Sequence, residues 1–274
     1  MIARHRKRHW RKPKTKWLKN ALWYFLAALV IVILVGMAAL WFQNRSEGTG
    51  ENLCPAKSGP AAGLAVLLDL TDPLENVQIE RLRGILDRRI AEAVPNTLIA
   101  VGAVHADTGA RGADFALCKP ESGERANEIY ENPRMIAERY RKKFRLPFDK
   151  ILERMLRSPK ADSSPIMESL QALLVGTSGF VDAKYPRRVI IVSDLLQHSA
   201  AFSFYRRDRW ATFVRSPNAQ RLAGRLNGVV VEICRVPRPN ARIKKAEVDD
   251  FWVNYFERAG ASRVFASTCP LGDL

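Results

Sequence analysis

The run Gly63-Leu64-Ala65-Val66-Leu67-Leu68-Asp69-Leu70-Thr71-Asp72-Pro73-Leu74 decides the fold, because an unbroken apolar strand passes directly into acidic and hydroxyl side chains and then into a helix start. A strand that is apolar at every position is buried on both faces, as in parallel sheets covered by helices. Ligands of such sheets bind outside the carboxyl ends of the strands. Asp69, Thr71 and Asp72 therefore fall on the edge where an α/β fold keeps its chemistry.

Apolar runs of the same kind recur at 97–105, 188–193, 228–234 and 263–267, with helical patterns in most of the gaps. This alternation predicts an α/β sandwich. Asp72-Pro73-Leu74-Glu75 reads as a helix start, with Asp72 at the N-cap, Pro73 at N1 and Glu75 completing a capping box. Val77, Ile79, Leu82, Ile85, Leu86 and Ile90 then form the apolar stripe. A long basic helix is expected over 133–156, with Met135, Ile136, Tyr140, Phe144, Phe148, Ile151, Leu152 and Met155 inward and Pro147 breaking or kinking it. Ser164-Pro165 and Ser216-Pro217 each precede a further helix, and the last helix covers 246–259. The polar stretch 107–132 leaves room for an edge strand at 113–118. Residues 61–274 suit one domain.

The first twenty residues carry nine Lys or Arg and no acid, and residues 21–42 carry no charge at all. That uncharged length meets the roughly 20 residues a helix needs to cross the hydrocarbon core and exceeds the apolar core of about 7–15 in a cleavable signal peptide. Trp17, Trp23, Tyr24 and Trp41 suit aromatic belts at the two interfaces. The expected order is a basic cytoplasmic arm (1–20), a transmembrane helix (21–42), a linker (43–60) and an exported domain (61–274). In a bacterium the arm then lies on the cytoplasmic side of the inner membrane and the domain in the periplasm. The arm supplies nine of the sixteen net positive charges. Beside a membrane span such an arm serves orientation and attraction to anionic lipid. No nucleic-acid module is recognisable in the remainder, which argues against nucleic acid as the partner.

All four cysteines, Cys54, Cys118, Cys234 and Cys269, follow the expected span, in a compartment that favours disulfides. Their spacing contains no CxxC motif, and sequence leaves three connectivities open. The predicted strand ends favour Cys54 with Cys118 and Cys234 with Cys269 as a geometric guess.

Three loops gather the reactive side chains: Asp69-Leu70-Thr71-Asp72, Ser163-Ser164-Pro165-Ile166 and Val192-Ser193-Asp194-Leu195-Leu196. Their order and spacing over residues 61–270 resemble the von Willebrand factor A-like fold, a three-layer sandwich with a mostly parallel central sheet. In that family an Asp-x-Ser-x-Ser loop, a second-loop Thr and a third-loop Asp hold Mg²⁺, and a partner's carboxylate completes the shell. The resemblance implies Asp69, Thr71, Ser164 and Asp194 as ligands, with Asp72 as a helix cap or a contributor through water. Pro73 stands where the family has its second Ser and offers no side-chain oxygen. The implied function is a membrane-anchored module that binds another protein of the envelope, with or without a divalent cation, and is not an enzyme.

An enzyme reading competes. Asp69-Leu70-Thr71 also resembles the Asp-x-Thr nucleophile of haloacid-dehalogenase-like phosphatases. That chemistry needs further acids at another strand end, and the acidic pair downstream, Asp249-Asp250, falls inside the last helical pattern. Asp194, His198 and Ser199 contain the letters of a triad without a nucleophile elbow, and Gly176-Thr177-Ser178-Gly179 reads as a helix C-terminal turn.

Overall fold

The computed structural model describes residues 15–43, 48–106, 112–124, 132–222, 224–237 and 243–266; within 15–43 the described side chains are those of 21 and 23–39. The chain divides into two compact units, residues 1–47 and 48–274. The first contains helix α1 (Thr15–Gln43), whose described side chains are exposed, among them Trp23, Leu29, Ile31 and Val35. Among the described residues no helix is long and apolar enough to cross a membrane. The expected span, 21–42, runs at both ends past 23–39, the unbroken stretch whose side chains are described. Residues 1–14 of the basic arm lie outside the described residues.

The second unit is built on six strands: β1 (Ala62–Leu68), β2 (Thr97–Ala103), β3 (Phe115–Cys118), β4 (Arg187–Ser193), β5 (Val230–Arg235) and β6 (Arg263–Ala266). They lie in the order β3-β2-β1-β4-β5-β6, every neighbouring pair parallel except β2 with β3. In β1, Leu64, Val66 and Leu68 enter one core and Ala65 and Leu67 the other, so both faces are covered.

On one face lie α2 (Asn76–Glu92), α3 (Pro133–Tyr140) and α4 (Leu146–Leu156); Leu82 and Leu86 of α2, Phe144 of the turn between α3 and α4, and Phe148 and Leu152 of α4 share a core with β1, β2 and β4. The opposite core is filled by α5 (Ile166–Gly176), the short α6 (Trp210–Phe213) and α7 (Pro217–Arg221), and α8 (Lys245–Arg258). Phe251 of α8 stacks on Phe202 at 4.1 Å, and Trp252 sends its indole N–H to the Leu195 carbonyl oxygen at 2.8 Å.

Two local expectations are corrected. Helix α2 starts at Asn76, with Glu75 as its N-cap and Gln78 completing the capping box by accepting the Glu75 N–H at 2.9 Å. Asp72 is therefore not the N-cap of α2; its carboxylate lies 3.2 Å from the Lys160 ammonium. In the basic helix Met135, expected inward, is 60% exposed, and the α-helical ladder is interrupted just ahead of Pro147, as expected. A five-residue π-turn, Arg141–Arg145, joins α3 to α4, and the Leu146 N–H reaches back to the Arg141 carbonyl oxygen. Proline removes one donor from the ladder, and the wider turn accommodates that loss while Tyr140, Phe144 and Phe148 keep a common inward line.

Cys54 and Cys118 form a disulfide with Cα atoms 4.9 Å apart. It fastens the segment before β1 to the β3 edge, where the Cys118 N–H also meets the Asn52 carbonyl oxygen at 2.8 Å. Cys234 is disulfide-bonded, and Cys269 lies outside the described residues.

Candidate functional site at the carboxyl edge of the sheet

Asp69 follows β1 and Ser193 ends β4, and the Asp69 N–H extends the ladder to the Val192 carbonyl oxygen at 2.8 Å. The two side chains are thus neighbours at the sheet edge. Asp69 is 9% exposed and Ser193 is fully buried. A carboxylate this deep is costly unless its oxygens are satisfied. Asp69 Oδ1 accepts the Thr71 hydroxyl at 2.6 Å and the Thr71 N–H at 3.3 Å. Oδ2 accepts the Ser193 hydroxyl at 2.7 Å and the Ser164 hydroxyl at 3.1 Å. Four donors match the roughly four lone-pair positions of a carboxylate.

The loops are also joined through their backbones. Ser164 and His198 exchange N–H to carbonyl bonds of 2.9 and 2.8 Å, and the Ala161 N–H meets the Thr71 carbonyl oxygen at 2.9 Å. After β4, Leu195 takes a left-handed conformation with φ of 68°, its N–H held by the Ser193 hydroxyl at 2.8 Å. Asp194 uses Oδ1 to accept the Leu196 N–H at 2.8 Å, an Asx-type turn. Behind this loop, Glu168 on α5 accepts the Ser199 hydroxyl at 2.7 Å and the Gln197 amide at 2.9 Å, which fixes 197–199 against the core.

Above Asp69 opens a cleft of about 300 Å³, lined by Thr71, Asp72, Lys160, Asp162, Ser164, Asp194, His198 and Tyr205 among others. The His198 Nδ1 lies 2.7 Å from the Ser203 hydroxyl, and its ring meets Tyr205 edge to face at 5.2 Å. Tyr205 is 60% exposed, an aromatic ring standing at the mouth.

Thr71 and Ser164 converge on Asp69, and both line the cleft. Asp194 shares the cleft and turns one oxygen into its own loop. Ser164 does not cap α5, whose N-cap is Pro165, because its hydroxyl is committed to Asp69. Ser193, Lys160 and Tyr205 escape a reading by motif. Ser193 had a signal, since it ends an apolar strand one position before the acid that drew attention. Lys160 had none, because its pairing with Asp72 depends on how two loops meet.

Mg²⁺ takes six oxygens in near-octahedral geometry, and in sites of this type one or two carboxylates anchor it. Here both oxygens of Asp69 are saturated by internal donors, Pro73 contributes none, and a Lys160 ammonium sits against Asp72. Among the described residues no three His, Cys, Asp or Glu side chains are grouped as metal ligands. Thr71, Ser164 and Asp194 line the cleft, so the set departs from the family's pattern in the Asp69–Ser193 bond and in Pro73. Of the acidic pair downstream, Asp249 is ion-paired with Arg235.

No known family profile matches the chain, and no curated protein matches it. Solved structures similar to it include an aerotolerance-related membrane protein from Bacteroides fragilis carrying multiple mutations to serines, at 9% identity over 75% of this chain and 91% of that one, with a TM-score of 0.39. The SpRpn10 VWA domain is similar at 9% identity over 76% and 88%, TM-score 0.40, and the conserved hypothetical protein BatB from Bacteroides thetaiotaomicron at 12% over 75% and 90%, TM-score 0.39. Six mostly parallel strands in the order described, flanked by helices on both faces, make the domain von Willebrand factor A-like.

Proposed function

We propose that this protein is a membrane-anchored binding module whose exported domain engages another protein of the envelope at the carboxyl edge of the sheet. The observation that carries this reading is the cleft itself. It opens where ligands of parallel sheets bind, its floor is rigidly hydrogen-bonded, and its mouth presents the exposed Tyr205 beside Lys160, Asp72 and Asp162. Aromatic side chains at the centre of a polar rim are the groups that carry binding energy in protein interfaces.

Anchoring is supported by the uncharged stretch 21–42 within the 29 residues of α1 and by the nine cations ahead of it. On this reading the arm stays in the cytoplasm against anionic lipid, and the domain lies in the periplasm, where the Cys54–Cys118 disulfide is stable. Photocrosslinking in native membranes tests the proposal. A crosslinking residue at Tyr205 or Asp162 is expected to capture a discrete partner, and the same residue at Lys184, in the loop leading into β4, is expected not to. Equal labelling at both ends of the sheet would remove the proposed surface.

A further inference from the structure

We propose that Asp69 takes the place of a divalent cation in this cleft: one buried carboxylate gathers hydroxyls from three loops, so that the partner surface is assembled with no metal. The donors come from Thr71, Ser164 and Ser193, positions far apart in the chain that meet at a single group at 2.6–3.1 Å. Hydrogen bonds to an ionised acceptor are about twice as strong as neutral ones, and burial shields them from water. Each donor is tied onward. Ser193 holds the Leu195 N–H, Ser164 pairs with His198, and the Thr71 carbonyl oxygen holds Ala161, so displacing one hydroxyl loosens the backbone of two loops.

Pro73 leaves a gap in the oxygen set, and the Lys160 ammonium neutralises Asp72 at 3.2 Å. Asp162 and Asp194 also line the cleft, so what an incoming Mg²⁺ has to overcome is the Asp69 network, whose three hydroxyls already donate to that carboxylate. The inference concerns the surface assigned above to partner binding. It is read without any partner, so failed crosslinking at Tyr205 bears on the proposed function alone.

Amide hydrogen exchange on the full-length protein in detergent micelles tests the latch, at residues 69–74, 161–165 and 193–198. Wild-type protection is expected to be the same in EDTA and in excess Mg²⁺. Asp69→Asn, which turns a donor toward Ser164 and Ser193, is expected to speed exchange about tenfold in all three loops together while β2 amides hold their protection. Should that variant not fold, Ser193→Ala is expected to loosen 161–165 and 193–198 in the same way, and Ser193→Thr, which keeps the hydroxyl, to restore them. Slower loop exchange in Mg²⁺, or loosening confined to the mutated loop, would overturn the proposal.

Discussion

At the residue scale, buried polar groups reveal which positions the fold has built around. Glu232 lies inside β5 at 1% exposure, where an unpaired carboxylate would be untenable, and it is held by the Arg89 guanidinium from α2 and by Arg188 from β4. Glu92 and Glu232 keep the Arg89 guanidinium charged despite its partial burial, raising it above its ordinary value. Tyr255 is the counterpart on the other face. Burial pushes its phenol upward, and the hydroxyl donates to the Leu222 carbonyl oxygen at 3.0 Å. A raised folded value means that the native state holds the proton more tightly than the unfolded chain. The stabilisation is complete below the ordinary phenol value of 10.0 and is lost as pH rises from there through the folded value. Stability should therefore fall above pH ~10 with a contribution from Tyr255 of about 1.4 kcal/mol per pH unit. Tyr255→Phe should flatten that alkaline slope by this share while costing about 1 kcal/mol at neutral pH from the lost hydrogen bond. Denaturant titrations of both proteins at neutral and alkaline pH measure the difference, and parallel curves would contradict it.

At the element scale, what was legible follows from periodicity and what was not follows from contact. The strands β1, β2 and β4 are unmistakable because an unbroken apolar run of strand length has few other homes. The inward line Tyr140, Phe144, Phe148, Leu152 marks the long helix equally well. The π-turn that carries this line past Pro147 leaves no separate mark, since proline alone predicts a break. The start of α2 was misplaced for a related reason. Asp72-Pro73 and Glu75 with Gln78 both satisfy capping chemistry; in the fold Glu75 and Gln78 form the box, while Asp72 meets Lys160. At the cleft, Asp69 could be read from its place at the end of a buried strand, whereas its donors could not all be named before β1 and β4 were in register. The β3 edge shows how an exposed ladder is closed: the segment around Asn52 bonds to it, and Cys54–Cys118 locks the segment down across a separation of 64 residues. Chain-entropy arguments for a loop of this length give about 4 kcal/mol of stabilisation. Cys54→Ser with Cys118→Ser should lower the unfolding free energy by up to about that amount and raise protease sensitivity around residue 52 before the sheet core responds. A double variant as stable as wild type would show that segment 48–56 holds the edge unaided.

At the scale of the whole molecule, charge and redox chemistry both bear on the proposed topology. Nine of the sixteen net positive charges precede the uncharged stretch, and the disulfide lies beyond it. A flank so basic resists translocation, so the proposed orientation keeps residues 1–20 in the cytoplasm and exports everything past 43. The reverse orientation would drag nine cations across a bilayer and leave Cys54 and Cys118 where thiols are kept reduced. The two arrangements differ in a measurable way. In intact cells, a cysteine introduced at Ser46 should react with a membrane-impermeant maleimide, whereas one at Thr15 should react only after lysis. Four added acids in place of Arg6, Arg8, Arg11 and Lys14 should weaken this preference and yield a mixed population, since the bias is set by cations next to the span. Labelling of Thr15→Cys in intact cells would reverse the assignment, and with it the reason for placing the cleft and its partner outside the inner membrane.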